Sequence, residues 1–125
     1  MGILVLTEKL RPTDDPAKGG VKKDYGKLRM DLIPPEAMEA MAVQLTLGAQ
    51  KYGERNWEKG MGWMRVFGGV LRHLFKWCAR RPMDPDTKTS HLWGALIGTA
   101  FLVAYEARNV GEDDRPFNVN LTFDE

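Results

Sequence analysis

From Leu92 to Tyr105 the chain is apolar with one break, Thr99. Few folds can absorb such a run. It falls short of the ~20 residues that span a bilayer. A helix that is apolar almost all round must be buried, so this one is expected at the centre of a bundle or in the core of an oligomer. Thr89 or Ser90 supplies an N-cap, which predicts a helix from about His91 to Asn109, ended by Gly111–Asp114.

Two further helices are expected around it. Trp63 to about Arg80 carries Val66, Val70, His73 and Trp77 along one side and Phe67, Leu71, Leu74 and Cys78 along the next. Two adjoining stripes predict burial over a wide arc, with Cys78 as a core residue rather than a nucleophile. Gly68 and Gly69, opposite Gly94 and Gly98 of the last helix, suit close helix approach. Pro34-Pro35 opens an earlier helix. Met38, Met41, Ala42, Leu45, Ala49 and Tyr52 share its apolar face, and Gly53 stops it.

The expected architecture is therefore all-α, a compact bundle of three or four helices over residues 34–109. An extended basic arm, 1–33, precedes it and an acidic tail, 110–125, follows. Short terminal strands are expected at Met1–Thr7 and at Phe117–Phe123, where Phe117, Val119, Leu121 and Phe123 alternate with other residues. At 125 residues this is one domain, small enough that a homo-oligomer, dimer or tetramer, is expected. The net charge of +1 points to neither a nucleic-acid polymer nor a membrane. A single cysteine excludes an internal disulfide and fits a reducing cytoplasm. Met1–Thr7 is too short, and lacks the basic start, for a signal peptide.

The chemistry concentrates between Arg72 and His91. His73 and His91, the two histidines of the chain, flank a polar loop holding Asp84-Pro85-Asp86. Such a corner can hold a divalent metal or a phosphate. Alternatively it caps two helices and does nothing more. Glu36 and Glu39, at i and i+3, could grip Mg²⁺ through hard oxygens, or offset the helix macrodipole. Lys22, Lys23, Lys27 and Arg29 surround Gly26 and suit an arm that closes over phosphates, or a solvated charged arm. Lys51, Tyr52, Asn56 and Trp57 mix cation, aromatic and amide groups as base stacking requires. A structural turn would use its half-buried tryptophans as well.

Lys23-Asp-Tyr-Gly-Lys27, Asp31-Leu-Ile-Pro-Pro35, Gly48-Ala-Gln-Lys-Tyr-Gly53, Asn56-Trp57-Glu-Lys-Gly60, Arg72-His73-Leu, Asp84-Pro-Asp86 and Ser90-His91-Leu92 together resemble a family of small phage proteins. These are described as the N-terminal-type domain of phage dATP/dGTP diphosphohydrolases. A more distant resemblance is to the MazG-like all-α nucleotide pyrophosphohydrolases, in which acids on two helices bind Mg²⁺ or Mn²⁺ and water attacks between the α- and β-phosphates.

The resemblance implies a nucleotide ligand, Mg²⁺ or Mn²⁺, and a host-cytoplasm location. Asp84, Asp86, Glu36 and Glu39 become the metal acids, and His73 or His91 the general base. Lys23, Lys27, Arg29, Lys51, Arg65 and Arg72 neutralise the polyphosphate; Tyr52, Asn56 and Trp57 hold the base. His73 and His91 stand where MazG-type enzymes carry carboxylates. Arg80 and Arg81 add guanidinium groups that match phosphate oxygens. The alternative is a phage protein that sequesters a nucleotide without hydrolysing it.

Overall fold

The computed structural model describes residues 9–117 and 119–123. Its regular structure is three helices: α1 Pro35–Tyr52, α2 Trp63–Cys78 and α3 His91–Arg108. Short 3₁₀ turns lie at Met30–Leu32 and Asn56–Lys59. The fold is all-α, with no sheet among the described residues. The N-terminal strand expected at Met1–Thr7 lies outside them. Among the described residues no strand forms at the C-terminal end, where Phe117 and Phe123 are 92% and 83% exposed. Alternation alone cannot make a strand when no neighbour offers a ladder. No described helix is long and apolar enough to cross a membrane.

The chain divides into two compact units, Met1–Pro34 and Pro35–Glu125. The first folds back on itself instead of running extended. Lys9 and Tyr25 form an antiparallel bridge, with Tyr25 N–H donating to the Lys9 carbonyl at 2.8 Å. The Lys9 ammonium lies 4.7 Å from the Tyr25 ring centre. Arg29 grips Asp31 with two bonds of 2.9 and 2.8 Å.

In the second unit α3 is central and packs on both α1 and α2. Its start is capped by Ser90, whose Oγ accepts from Leu92 N–H at 3.2 Å. It ends at Arg108, with Asn109 as its C-cap in the left-handed conformation (φ 54°), as its pattern suggests. Ala95, Ile97 and Tyr105 are buried, and the Tyr105 hydroxyl donates to the Trp57 carbonyl at 2.6 Å. The α2–α3 approach is close because α3 offers glycine. A Cβ on Gly98 would lie 2.6 Å from Val70 Cγ2, and one on Gly94 would lie 2.6 Å from the His73 ring. Gly68 and Gly69 do not share in this. They face the guanidinium of Arg72, which folds back along its own helix.

Two expected faces are corrected. The packed side of α1 runs through Ala37, Ala40, Met41, Gln44, Leu47 and Gly48, whereas Met38 and Tyr52 are exposed. The expected stripe traded small residues for large ones, but Ala40, 1% exposed, lets the helices meet. On α2 one stripe faces inward, and Val70 is buried. The second stripe, with Phe67, Leu74 and Cys78, is exposed. Cys78 is thus a surface thiol, and α2 stops there, two residues before its expected end.

The acidic segment after α3 is built into the fold. Gly60 (φ 94°) and Gly111 (φ 82°) cross so tightly that a Cβ on Gly60 would lie 2.7 Å from Gly111 N. Beside that crossing Trp63 N–H donates to the Glu112 carbonyl at 2.9 Å, and Trp63 Nε1 to the Val110 carbonyl at 2.8 Å. The Gly62 N-cap of α2 has no side chain to cap with, and Asp114 serves instead, accepting from Met64 N–H at 2.8 Å. A carboxylate there also faces the positive end of the helix. Asp114→Ala is expected to cost about 1 kcal/mol, the usual loss for a helix cap. Urea unfolding monitored by circular dichroism would detect it, with Glu54→Ala, an exposed residue, as the neutral comparison.

Candidate metal centre

The α2–α3 contact brings the two histidines face to face. His73 lies ten residues into α2 and His91 opens α3. Their Nδ1 atoms are 3.0 Å apart. Nitrogens at that distance share one proton, since two N–H groups pointing at each other would repel. His91 is 3% exposed, and the His73 side chain 26%. The Nε2 edge of His73 rests on Gly94, which leaves its Nδ1 edge to face the loop.

The loop supplies the third group. Asp84 Oδ1 accepts from Asp86 N–H at 2.8 Å and Thr87 N–H at 3.4 Å, an Asx turn that fixes the carboxylate. The loop closes through Asp84 N–H to the Thr89 carbonyl and Lys88 N–H to the Asp84 carbonyl. Gln44 of α1 ties it down from the other side, donating to Thr89 Oγ1 at 2.8 Å. Asp84 Oδ2 is left facing His73 Nδ1 at 3.9 Å.

Candidate ligand atoms of His73, Asp84 and His91 all lie within 4.8 Å of one another. Ligands about 2.1 Å from a metal stand about 3.0 Å apart at right angles and about 4.2 Å apart when opposed. The His73–His91 and His73–Asp84 separations, 3.0 and 3.9 Å, fall in that range. The triad can therefore hold a divalent cation. Two imidazoles and one carboxylate suit a transition metal better than Mg²⁺, which takes oxygen ligands and retains water.

Burial pushes the His73 pKa below its ordinary 6.5; Asp84 opposes this, while His91, Lys76 and Arg72 add to it. Burial would raise Asp84, yet the Asp86 and Thr87 amides and the two imidazoles outweigh it and hold the carboxyl below its ordinary 3.8. A His73 ring that resists protonation, beside a carboxylate that favours its ionised form, suits metal binding.

The other residues singled out from sequence are placed elsewhere. Asp86 turns to Lys51, 2.8 Å away, and both side chains are more than half exposed. Glu36 and Glu39 are exposed on α1 and join no metal-suited cluster among the described residues. Trp57 stacks on Phe101 at 4.8 Å, with the Arg108 guanidinium 5.3 Å from its ring centre. It is a packing residue of the α3 seam. Tyr52 is exposed beside Lys51, and Asn56 is half-buried at the start of the second 3₁₀ turn. Arg65 and Arg72 are exposed on α2. Lys23, Lys27 and Arg29 belong to the N-terminal unit. Gly94 and Gln44, which position the triad, carry no chemical signal in the sequence.

A model of the family described as dATP/dGTP diphosphohydrolase, N-terminal, matches residues 17–115, a stretch that includes all three helices and the triad. The chain belongs to that family. The dATP/dGTP diphosphohydrolase of Salmonella phage PMBT28 is 33% identical over 96 residues, covering 77% of this chain and 33% of the relative. The chain thus spans about a third of that relative's length. No solved structure matches.

Two expectations follow from the geometry. A histidine whose pKa is lower in the folded state stabilises the fold fully above 6.5, and that stability is lost as pH falls from there toward the folded value. Thermal melts should show Tm falling below about pH 6.5, with a shallower slope in His73→Gln. Separately, Gly94→Ala displaces the His73 ring and should weaken Mn²⁺ binding by about tenfold or more, measured by electron paramagnetic resonance. Gly48→Ala, where a Cβ meets nothing within 4 Å, should leave binding unchanged.

Proposed function

We propose that this chain is a phage nucleotide-handling protein that hydrolyses purine (deoxy)nucleoside triphosphates between the α- and β-phosphates, in the MazG-like manner. The observation that carries the proposal is the His73–Asp84–His91 cluster, taken together with membership of a family described by dATP/dGTP diphosphohydrolase activity. A divalent metal held there supplies Lewis acidity to a phosphoryl oxygen and to the attacking water. Of Mg²⁺ and Mn²⁺, the donor set favours Mn²⁺.

The chain's own contribution is orientation and charge. Asp84 is locked by its turn, so its free oxygen is aimed before any ligand arrives. His73 and His91 serve as metal ligands rather than as a general base, because each Nδ1 faces the shared centre. Arg65 and Arg72 form no ion pair among the described residues and remain available to phosphate. Lys51 and Arg29 are already paired with Asp86 and Asp31. The exposed second stripe of α2 supports a homo-oligomer, and the proposed location is the host cytoplasm.

A second reading is favoured by the share of the relative that matches. Two thirds of the Salmonella phage protein has no counterpart in this chain. That leaves room for its hydrolytic step to reside outside the matched third, with this segment binding nucleotide only. Incubation with each dNTP and Mn²⁺ separates the two. Hydrolysis predicts pyrophosphate from dATP or dGTP, faster with Mn²⁺ than with Mg²⁺, and none from a His91→Ala variant. Intact nucleotide retained in EDTA, with no pyrophosphate under any metal, would establish binding alone.

A further inference from the structure

We propose that Arg80 and Arg81, at the C-terminal end of α2, form a binding site for a condensed phosphate, the polyphosphate portion of a nucleotide. This identification of the nucleotide rests on the function proposed above; the binding of inorganic polyphosphate does not.

The two arginines line a cavity of about 560 Å³ together with Trp77, Cys78, Pro82 and Ser90. No acid lines it. Among the described residues Arg80 and Arg81 form no ion pair, and neither do Arg72 and Lys76 of the same helix. Elsewhere in the chain Arg29, Lys51, Arg55, Arg108 and Arg115 all have carboxylate partners. The end of α2 thus gathers three cations, Lys76, Arg80 and Arg81, that form no ion pair among the described residues.

The backbone adds an independent observation. Arg80 N–H donates to the Trp77 carbonyl and Arg81 N–H to the Lys76 carbonyl, 2.9 and 3.0 Å. This is a Schellman closure, in which the residue after the cap turns left-handed and is usually glycine. Arg80 occupies that position with φ 60°. An L-residue is strained there, and straightforward capping would be better served by glycine. The helix dipole accounts for cations in a last turn, but a lysine one turn earlier satisfies it without strain. A guanidinium held in an unfavourable backbone conformation, beside a second one and over an open cavity, matches the fork geometry that phosphate oxygens accept.

The cavity lies next to the candidate metal centre along the chain. Ser90, on its wall, is bonded to His91, so their Cα atoms are about 3.8 Å apart. Arg81 is three residues from Asp84, a span of at most about 11 Å. The backbone of Arg81 thus lies close to that of Asp84, and the wall of the cavity close to His91. Trp77, half-exposed on the wall, offers an aromatic face beside it.

Titration calorimetry of the full chain in EDTA with sodium tripolyphosphate tests the site. The wild type should bind, more weakly as salt rises. Arg80→Gly and Arg81→Ala should each weaken binding by about tenfold. Arg80→Gly should at the same time raise Tm by a few degrees, because glycine relieves the left-handed strain; lost affinity in a stabilised protein cannot be attributed to misfolding. Mn²⁺ binding, measured separately without polyphosphate, should be unchanged in both variants. Failure of the wild type to bind tripolyphosphate, or equal binding by Arg80→Gly and Arg81→Ala, would overturn the proposal. Arginine-dependent binding in a protein that takes up no Mn²⁺ would leave this site standing and remove the metal reading.

Discussion

The contact of the His73 ring with the backbone of Gly94 governs this structure. It sets how near α2 comes to α3, and one turn further on Val70 repeats it against Gly98. Side chains three residues apart on one helix thus fill two hollows four residues apart on the other. Since Cβ atoms at either glycine would collide with these side chains, the spacing is fixed by the absence of atoms. At the far end of the pair, Gly60 and Gly111 cross in the same way, and Trp63 and Asp114 secure the crossing with hydrogen bonds. The two helices are pinned at both ends, and the histidine pair is one of the pins.

That position explains the electrostatics of the triad. A histidine taken out of water resists protonation, and the two rings can share only one proton at their 3.0 Å separation. The negative charge beside them is not left to fold in as it can. Two backbone amides hold one oxygen of Asp84 and present the other. To admit a cation at both Nδ1 atoms, the proton between them must move to the other nitrogen of its ring. The surrounding charge is positive, which suits a centre whose ligand would be a metal carrying a polyanion.

Much of this was legible in the sequence. Caps and breakers marked the helices: Pro35, Gly53 and Ser90 stand at or beside the observed ends. Two histidines at the lips of one loop announced the centre. What the sequence could not do was choose between Asp84 and Asp86. Both lie in the same Asp-Pro-Asp turn, and only the backbone that closes it decides which carboxylate faces inward and which meets Lys51. Apolar content likewise marked the α2 stripes and the indole of Trp57 without saying what would cover them. The face of α1 was misjudged because close approach at Ala40 outweighs the area of Met38. Asp114 caps a helix fifty residues away in sequence, and no local pattern signals such a cap.

The outward stripe of α2 follows from the same geometry. With α3 in the middle, α2 has a helical neighbour on one side. Its inward stripe is used up by Gly94 and Gly98, so Phe67, Leu74 and Phe75 remain on the surface. Phe67 borders a cavity beside Thr99, Leu102 and Val103 of α3, yet none of these side chains covers it. Only another surface could, and its chemistry is constrained. Arg65, Arg72 and Lys76 share α2 with these apolar residues, and the helix carries no acid. A covering surface must therefore offer apolar area together with negative or neutral polar groups. If the arginine cavity is to receive a ligand, that surface must also leave the C-terminal end of α2 open, since Trp77, Arg80 and Arg81 line the cavity there.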